Sequence, residues 1–177
     1  MNHNPGIGPS VHASAVKVGE RAVLIRGPSG SGKSRLAFDL ILAGRSGQLP
    51  PAVLVGDDRV RLDTAGGELL VSSVPELAGL IEIRGLGIRR CDFVAKAVVA
   101  LVVDLAAGDA ERLPPPEALR ISISGVSIPR IPVGKGFSPL PLVVAALTTA
   151  DGLPSLNDRP DCFKGIGNHI PSTLATE

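Results

Sequence analysis

Between positions 27 and 34 the chain reads Gly27-Pro28-Ser29-Gly30-Ser31-Gly32-Lys33-Ser34, an ungapped match to the phosphate-loop pattern G-x-x-x-x-G-K-[ST]. Each residue type has a task. The glycines let the backbone curl so that successive N–H groups converge on phosphate oxygens. The Lys33 amine can reach the β- and γ-phosphates of a nucleotide, and the Ser34 hydroxyl can ligate Mg²⁺. A chance glycine-rich turn is the competing reading, and the flanking residues speak against it. The apolar run Ala22-Val23-Leu24-Ile25 reads as a buried strand, and residues 34–43 read as the helix that leaves the loop. The helix N-terminus adds partial positive charge. The segment is therefore read as a site for a nucleotide or another polyphosphate.

Phosphate transfer also needs an acidic residue at a strand end. Two segments compete. Val99-Ala100-Leu101-Val102-Val103-Asp104 has the apolar-then-Asp form of a magnesium-organising strand. Ala52-Val53-Leu54-Val55-Gly56-Asp57-Asp58 has the same form with two carboxylates side by side. Adjacent residues point different ways at a strand end, so one of this pair can face a metal and the other an acceptor hydroxyl. A carboxylate beside a bound triphosphate also suits general-base work. The double Asp is the favoured site, and Asp104 belongs to the alternative: a small-molecule kinase, a generic ATPase, or a nucleotide-binding module without turnover. A third segment, Glu82-Ile83-Arg84-Gly85-Leu86-Gly87-Ile88, sets an acid and a base on alternating positions ahead of two glycines. On spacing alone it reads equally well as an exposed strand edge with an ion pair and a turn.

These groups need a scaffold. The 177 residues suffice for one domain with a sizeable core. Hydrophobic residues make up 44% and aromatics 2%, with no Trp or Tyr, so Val, Leu, Ile and Ala must build that core, as in a buried sheet covered by helices. Residues 11–18 are expected to form a hairpin with the strand before the phosphate loop, and residues 60–62 and 68–71 a second hairpin. Residues 98–104 read as a third buried strand, 121–131 as one or two short strands, and 139–147 as a closing helix with prolines in its first turn. Residues 1–150 are expected to be the catalytic domain and 151–177 a loosely packed tail.

Eighteen basic and seventeen acidic residues give a net charge of +1, without a run of like charge, so no nucleic-acid or anionic-membrane partner is expected. Cys91 and Cys162 lack the spacing of a metal or redox pair. Residues 1–5 lack the basic and apolar regions of a signal peptide, and the longest apolar run, 97–103, is too short for a membrane span. A cytoplasmic setting is expected.

Taken together, the segments resemble the catalytic domain of the HPr kinase/phosphorylases, in a P-loop-containing mixed β-sheet flanked by helices. The resemblance covers roughly residues 8–147 and rests on four features in order: His12 and its spacing to the loop, the loop itself, Gly56-Asp57-Asp58-Arg59-Val60, and residues 82–88. Members of that family use ATP, and often pyrophosphate, to phosphorylate a serine of the phosphocarrier protein HPr, and they run the reverse phosphorolysis. The resemblance implies that Asp58 takes the serine proton, that His12 lies beside Asp58 and tunes its charge, and that Lys33 neutralises the transferring phosphate. It implies Mg²⁺ held by Ser34 and Glu82, with Asp57 the further metal candidate, and Arg112 as the catalytic arginine. It further implies a hexamer. The chain is similar to the short, alphaproteobacterial form, which lacks the amino-terminal domain of many members. The segment linked to phosphorolysis is only partly echoed in Ile131-Pro132-Val133-Gly134-Lys135-Gly136.

Overall fold

The computed structural model describes residues 9–150. The order is β1 (Ser10–Val11), β2 (Ser14–Val18), β3 (Arg21–Arg26), α1 (Lys33–Arg45), β4 (Ala52–Gly56), β5 (Val60–Ala65), β6 (Glu68–Ser73), β7 (Leu80–Ile83), β8 (Gly87–Arg90), β9 (Lys96–Leu105), β10 (Arg120–Ile123), β11 (Val126–Val133) and α2 (Pro139–Thr148). Nine strands form one mixed sheet in the order β1-β5-β6-β9-β3-β2-β4, with β11 on β9 and β10 on β11. The remaining two, β7 and β8, form a separate hairpin.

Long β9 is the spine. It pairs antiparallel with β6 through residues 96–98, and parallel with β3 and with β11 towards its C-terminal end. Strand β2 is antiparallel to both β3 and β4, so β3, β4, β9 and β11 run the same way. The loops that follow their C-terminal ends therefore gather at one edge of the sheet, where ligands of open α/β sheets bind.

Two apolar clusters sit on the two faces. One packs Leu36, Ala37, Leu40 and Ile41 of α1 and Val143 of α2 against Val23, Ile25, Leu101 and Val103. The other joins Ala15, Leu24, Val60, Val71, Val99 and Val102, with strands alone on both sides. Both helices thus cover one face, and the curling sheet covers the other itself. A one-residue register shift opposite Ala22 and Val23 lets β9 serve both clusters. Before it Ala97 and Val99 face the strand-only cluster; after it Leu101, Val103 and Leu105 face the helices. A single inserted residue flips the side-chain faces that follow.

The expected hairpins are present, as β2–β3 and β5–β6. One detail differs from the sequence reading. Residues 11–18 are not one strand, because the pairing breaks at His12: β1 joins β5 while β2 joins β3. The closing helix α2 spans Pro139–Thr148. The expected tail at 151–177 lies outside the described residues. Among the described residues no helix is long and apolar enough to cross a membrane.

Candidate active site

Strand β3 ends at Arg26 and α1 begins at Lys33, so the phosphate loop is the whole connection between them. Its first glycine is sterically required. Gly27 has φ +150°, and a Cβ there would lie 2.7 Å from Ser31 Oγ and 2.9 Å from the Leu105 carbonyl. Gly32 caps α1 in the left-handed region, no side chain caps the helix, and its first turn holds no acidic residue. The partial positive charge of that helix end is therefore free to meet an anion. Ser31 Oγ is buried in the loop without a hydrogen-bond partner, the kind of atom that an oxygen of a bound group would satisfy.

Lys33 is buried, and its Nζ donates to the carbonyls of Gly27 and Pro28 at 3.0 Å each. Burial pushes its pKa below the ordinary lysine value, and the carboxylates of Asp57 and Asp58 pull it partly back. The loop opens on a cavity of about 940 Å³ lined by residues 29–35, His12, Asp58, Glu82, Arg84 and residues 136–139, among others.

The double Asp splits as its strand-end position suggests. Asp57 turns inward and is 3% exposed. Its Oδ1 accepts from the Ser14 hydroxyl at 2.5 Å and its Oδ2 from the Glu82 backbone N–H at 3.0 Å, which ties β2, β4 and β7 together. Asp57, the further metal candidate, is thus absent from the cavity lining, and each of its oxygens accepts a hydrogen bond from the frame. Asp58 turns outward into the cavity with φ +64°, in the left-handed region that non-glycine residues avoid. The Arg59 N–H donates to the Asp57 carbonyl at 2.7 Å, closing a γ-turn of the rare, strained kind with Asp58 at its centre. Such strain persists where the surroundings over-determine it, commonly at functional sites. The break between β1 and β2 brings His12 to it: Nε2 lies 3.5 Å from Asp58 Oδ1.

Glu82 comes from β7 and Arg84 from the turn that follows; both line the cavity, and no ion pair joins them. The reading of that segment as an ion-paired edge is thus not what the chain does. Arg112 lies in the exposed stretch after β9 and does not line the cavity. Two cavity residues had no signal in the spacing, Phe137 and Ser138, which arrive from the turn after β11.

Asp104, the rival carboxylate, pairs in register with Arg26 across β3 and β9. Arg26 grips it bidentately, Nε to Oδ1 at 2.7 Å and Nη2 to Oδ2 at 2.8 Å, and Arg130 Nε adds a bond to Oδ2 at 2.5 Å. Arg130 also reaches both oxygens of Asp109. Burial would raise the Asp104 pKa, but the bonds from Arg26 and Arg130 outweigh it and hold the carboxyl below its ordinary value. Arg130 is raised, first by its bonds to Asp109.

Comparison with known proteins fits this geometry. The family model described as "HPr Serine kinase C-terminal domain" matches residues 8–150. The HPr kinase/phosphorylase of Neisseria meningitidis is 34% identical over 151 residues, 77% of this chain and 45% of that protein. The HPr kinase/phosphorylase of Geobacillus kaustophilus is 41% identical over 111 residues, 58% of this chain and 33% of that protein. The structure of the Hpr(Ser) kinase/phosphatase from Coxiella burnetii superposes with a TM-score of 0.62 at 28% identity, covering 78% of this chain and 93% of that one. The chain spans less than half the length of these two curated relatives.

Proposed function

The chain belongs to the HPr serine kinase C-terminal domain family, and on that premise we propose that it is a Mg²⁺-dependent kinase that moves the γ-phosphate of ATP to a serine of an HPr-like phosphocarrier protein. One observation carries the reading: Asp58, held by a strained turn and with His12 its one ion-pair partner among the described residues, faces the cavity into which the phosphate loop opens.

The acceptor serine enters opposite the loop. Asp58 takes its hydroxyl proton as the serine oxygen bonds to the γ-phosphorus and the bond to the bridging β-phosphate oxygen breaks, releasing ADP. His12 holds the carboxylate in place. Lys33 and the loop N–H groups draw charge from the phosphate oxygens. Lys33, Arg35 and Arg84 are the cationic side chains that line the cavity, and the charge-stabilising role that resemblance gives to Arg112 is open to them.

The donor set suits Mg²⁺. The Ser34 hydroxyl and the Glu82 carboxylate are hard oxygen ligands, and Mg²⁺ takes few protein ligands while keeping water and phosphate oxygens. When bound, the ion would neutralise charge on the phosphate oxygens. With inorganic phosphate in the loop in place of ADP, the same groups support phosphorolysis: a phosphate oxygen bonds to the phosphorus of phosphoserine, the bond to the serine oxygen breaks as Asp58 returns a proton to it, and pyrophosphate leaves. Asp104 offers the alternative kinase reading little, since both its oxygens are held by arginines.

Radiolabelled ATP incubated with the chain and the HPr-like protein of its own organism tests the reading. Label recovered as phosphoserine is the expected result. Label on sugars or nucleotides, with none on the protein, would move the assignment to a small-molecule kinase.

A further inference from the structure

Aromatic residues are scarce in this chain: four Phe, no Trp and no Tyr. Of the three Phe among the described residues, two, Phe38 and Phe137, line the phosphate-loop cavity. Phe38 is half-buried and packs against the core beneath α1. Phe137 is different: it is 74% exposed, one of the largest apolar groups the fold leaves in water.

The backbone that carries the ring is fixed by a turn. The Phe137 N–H donates to the Gly134 carbonyl at 3.2 Å, closing a tight turn after β11. Gly136 within that turn has φ +86°, which a side chain would strain. Gly134 leaves the space the ring uses, since a Cβ there would come within 3.2 Å of Phe137 Cδ2. Two glycines thus shape the turn that sets Phe137 in the cavity lining. A cavity of about 940 Å³ has room for more than three phosphates, and a flat π-face beside a phosphate site suits a nucleobase, which stacks on aromatic rings.

We propose that Phe137 is the platform on which the purine ring of the bound nucleotide stacks. The ring then separates nucleotide from bare polyphosphate: the loop holds both, and only the nucleotide touches Phe137. This inference rests on the phosphate-loop cavity being the donor site.

Binding of ATP and of pyrophosphate to the whole chain, measured by calorimetry, tests it. Phe137→Ala should weaken ATP about 5- to 100-fold and leave pyrophosphate within about twofold. Phe137→Trp should keep ATP affinity and, as the chain's single Trp, should change its emission with ATP and not with pyrophosphate. This second variant carries the test if the first fails to fold. Unchanged ATP affinity in Phe137→Ala would overturn the proposal, as would equal weakening of both ligands, which would make the ring a support of the loop. A loss confined to binding of the acceptor protein would overturn it too. If the parent chain bound neither ligand, the donor-site reading itself would fall, and this inference with it.

Discussion

Asp58 and Asp104 follow apolar strands of similar form on either side of the phosphate-loop strand, yet their surroundings are opposite. Asp104 meets two guanidinium groups that occupy both its oxygens. Asp58 stands in a strained turn, is 67% exposed, and has one imidazole nearby. A carboxylate clamped by arginines is a poor base and a poor ligand, because three charge-assisted bonds occupy its two oxygens and its proton affinity is lowered. A carboxylate on a cavity wall with open oxygens can accept a proton. Neighbours, more than strand pattern, decide which Asp is left free to do chemistry. Asp57 falls on the clamped side of this divide, since its partners are a buried hydroxyl and a backbone N–H.

This contrast orders the stability effects of substitution. Asp104→Ala leaves Arg26 and Arg130 facing an empty position, and should destabilise the fold by about 3 kcal/mol in urea unfolding. Asp57→Ala strands the buried Ser14 hydroxyl and the Glu82 N–H, and should cost about 2 kcal/mol. Asp58→Gly relieves the left-handed strain and should stabilise by about 1 kcal/mol. A destabilising Asp58→Gly would break the comparison, for it would give Asp58 a structural role like that of Asp104.

Acid sharpens it further. The folded-state pKa of Asp104 is depressed, so its contribution to stability is present above the unfolded value of about 3.9 and is lost as pH falls through the folded pKa. The parent should therefore lose stability more steeply below about pH 4 than Asp104→Asn does. Parallel stability curves for the two would contradict the clamp.

Much of this was legible in the residues. The phosphate loop, its strand and its helix follow from local pattern: glycines where the backbone must curl, β-branched residues before them and Leu36, Ala37, Leu40 and Ile41 at helical spacing after them. The double Asp and the Glu82 segment are readable as motifs, and His12 by resemblance. What pattern could not supply is long-range pairing. Arg26 and Arg130 lie 78 and 26 residues from Asp104 in sequence, so nothing local distinguishes its clamped carboxylate from a metal ligand. The inward turn of Asp57 depends likewise on Ser14, 43 residues away. Phe137 reaches the cavity only because β11 runs parallel to β9 and ends at the same sheet edge as β3. Arg112 is named by resemblance alone, and the exposed stretch after β9 that holds it does not line the cavity.

The most direct test is single-turnover transfer from saturating ATP to the HPr-like protein, run with Asp58→Asn and Asp104→Asn side by side at a temperature where both are folded. Asp58→Asn should bind ATP normally and transfer about 10²- to 10⁴-fold more slowly than the parent, while Asp104→Asn transfers within about fivefold of it. An active Asp58→Asn beside a dead Asp104→Asn would contradict the assignment of the base.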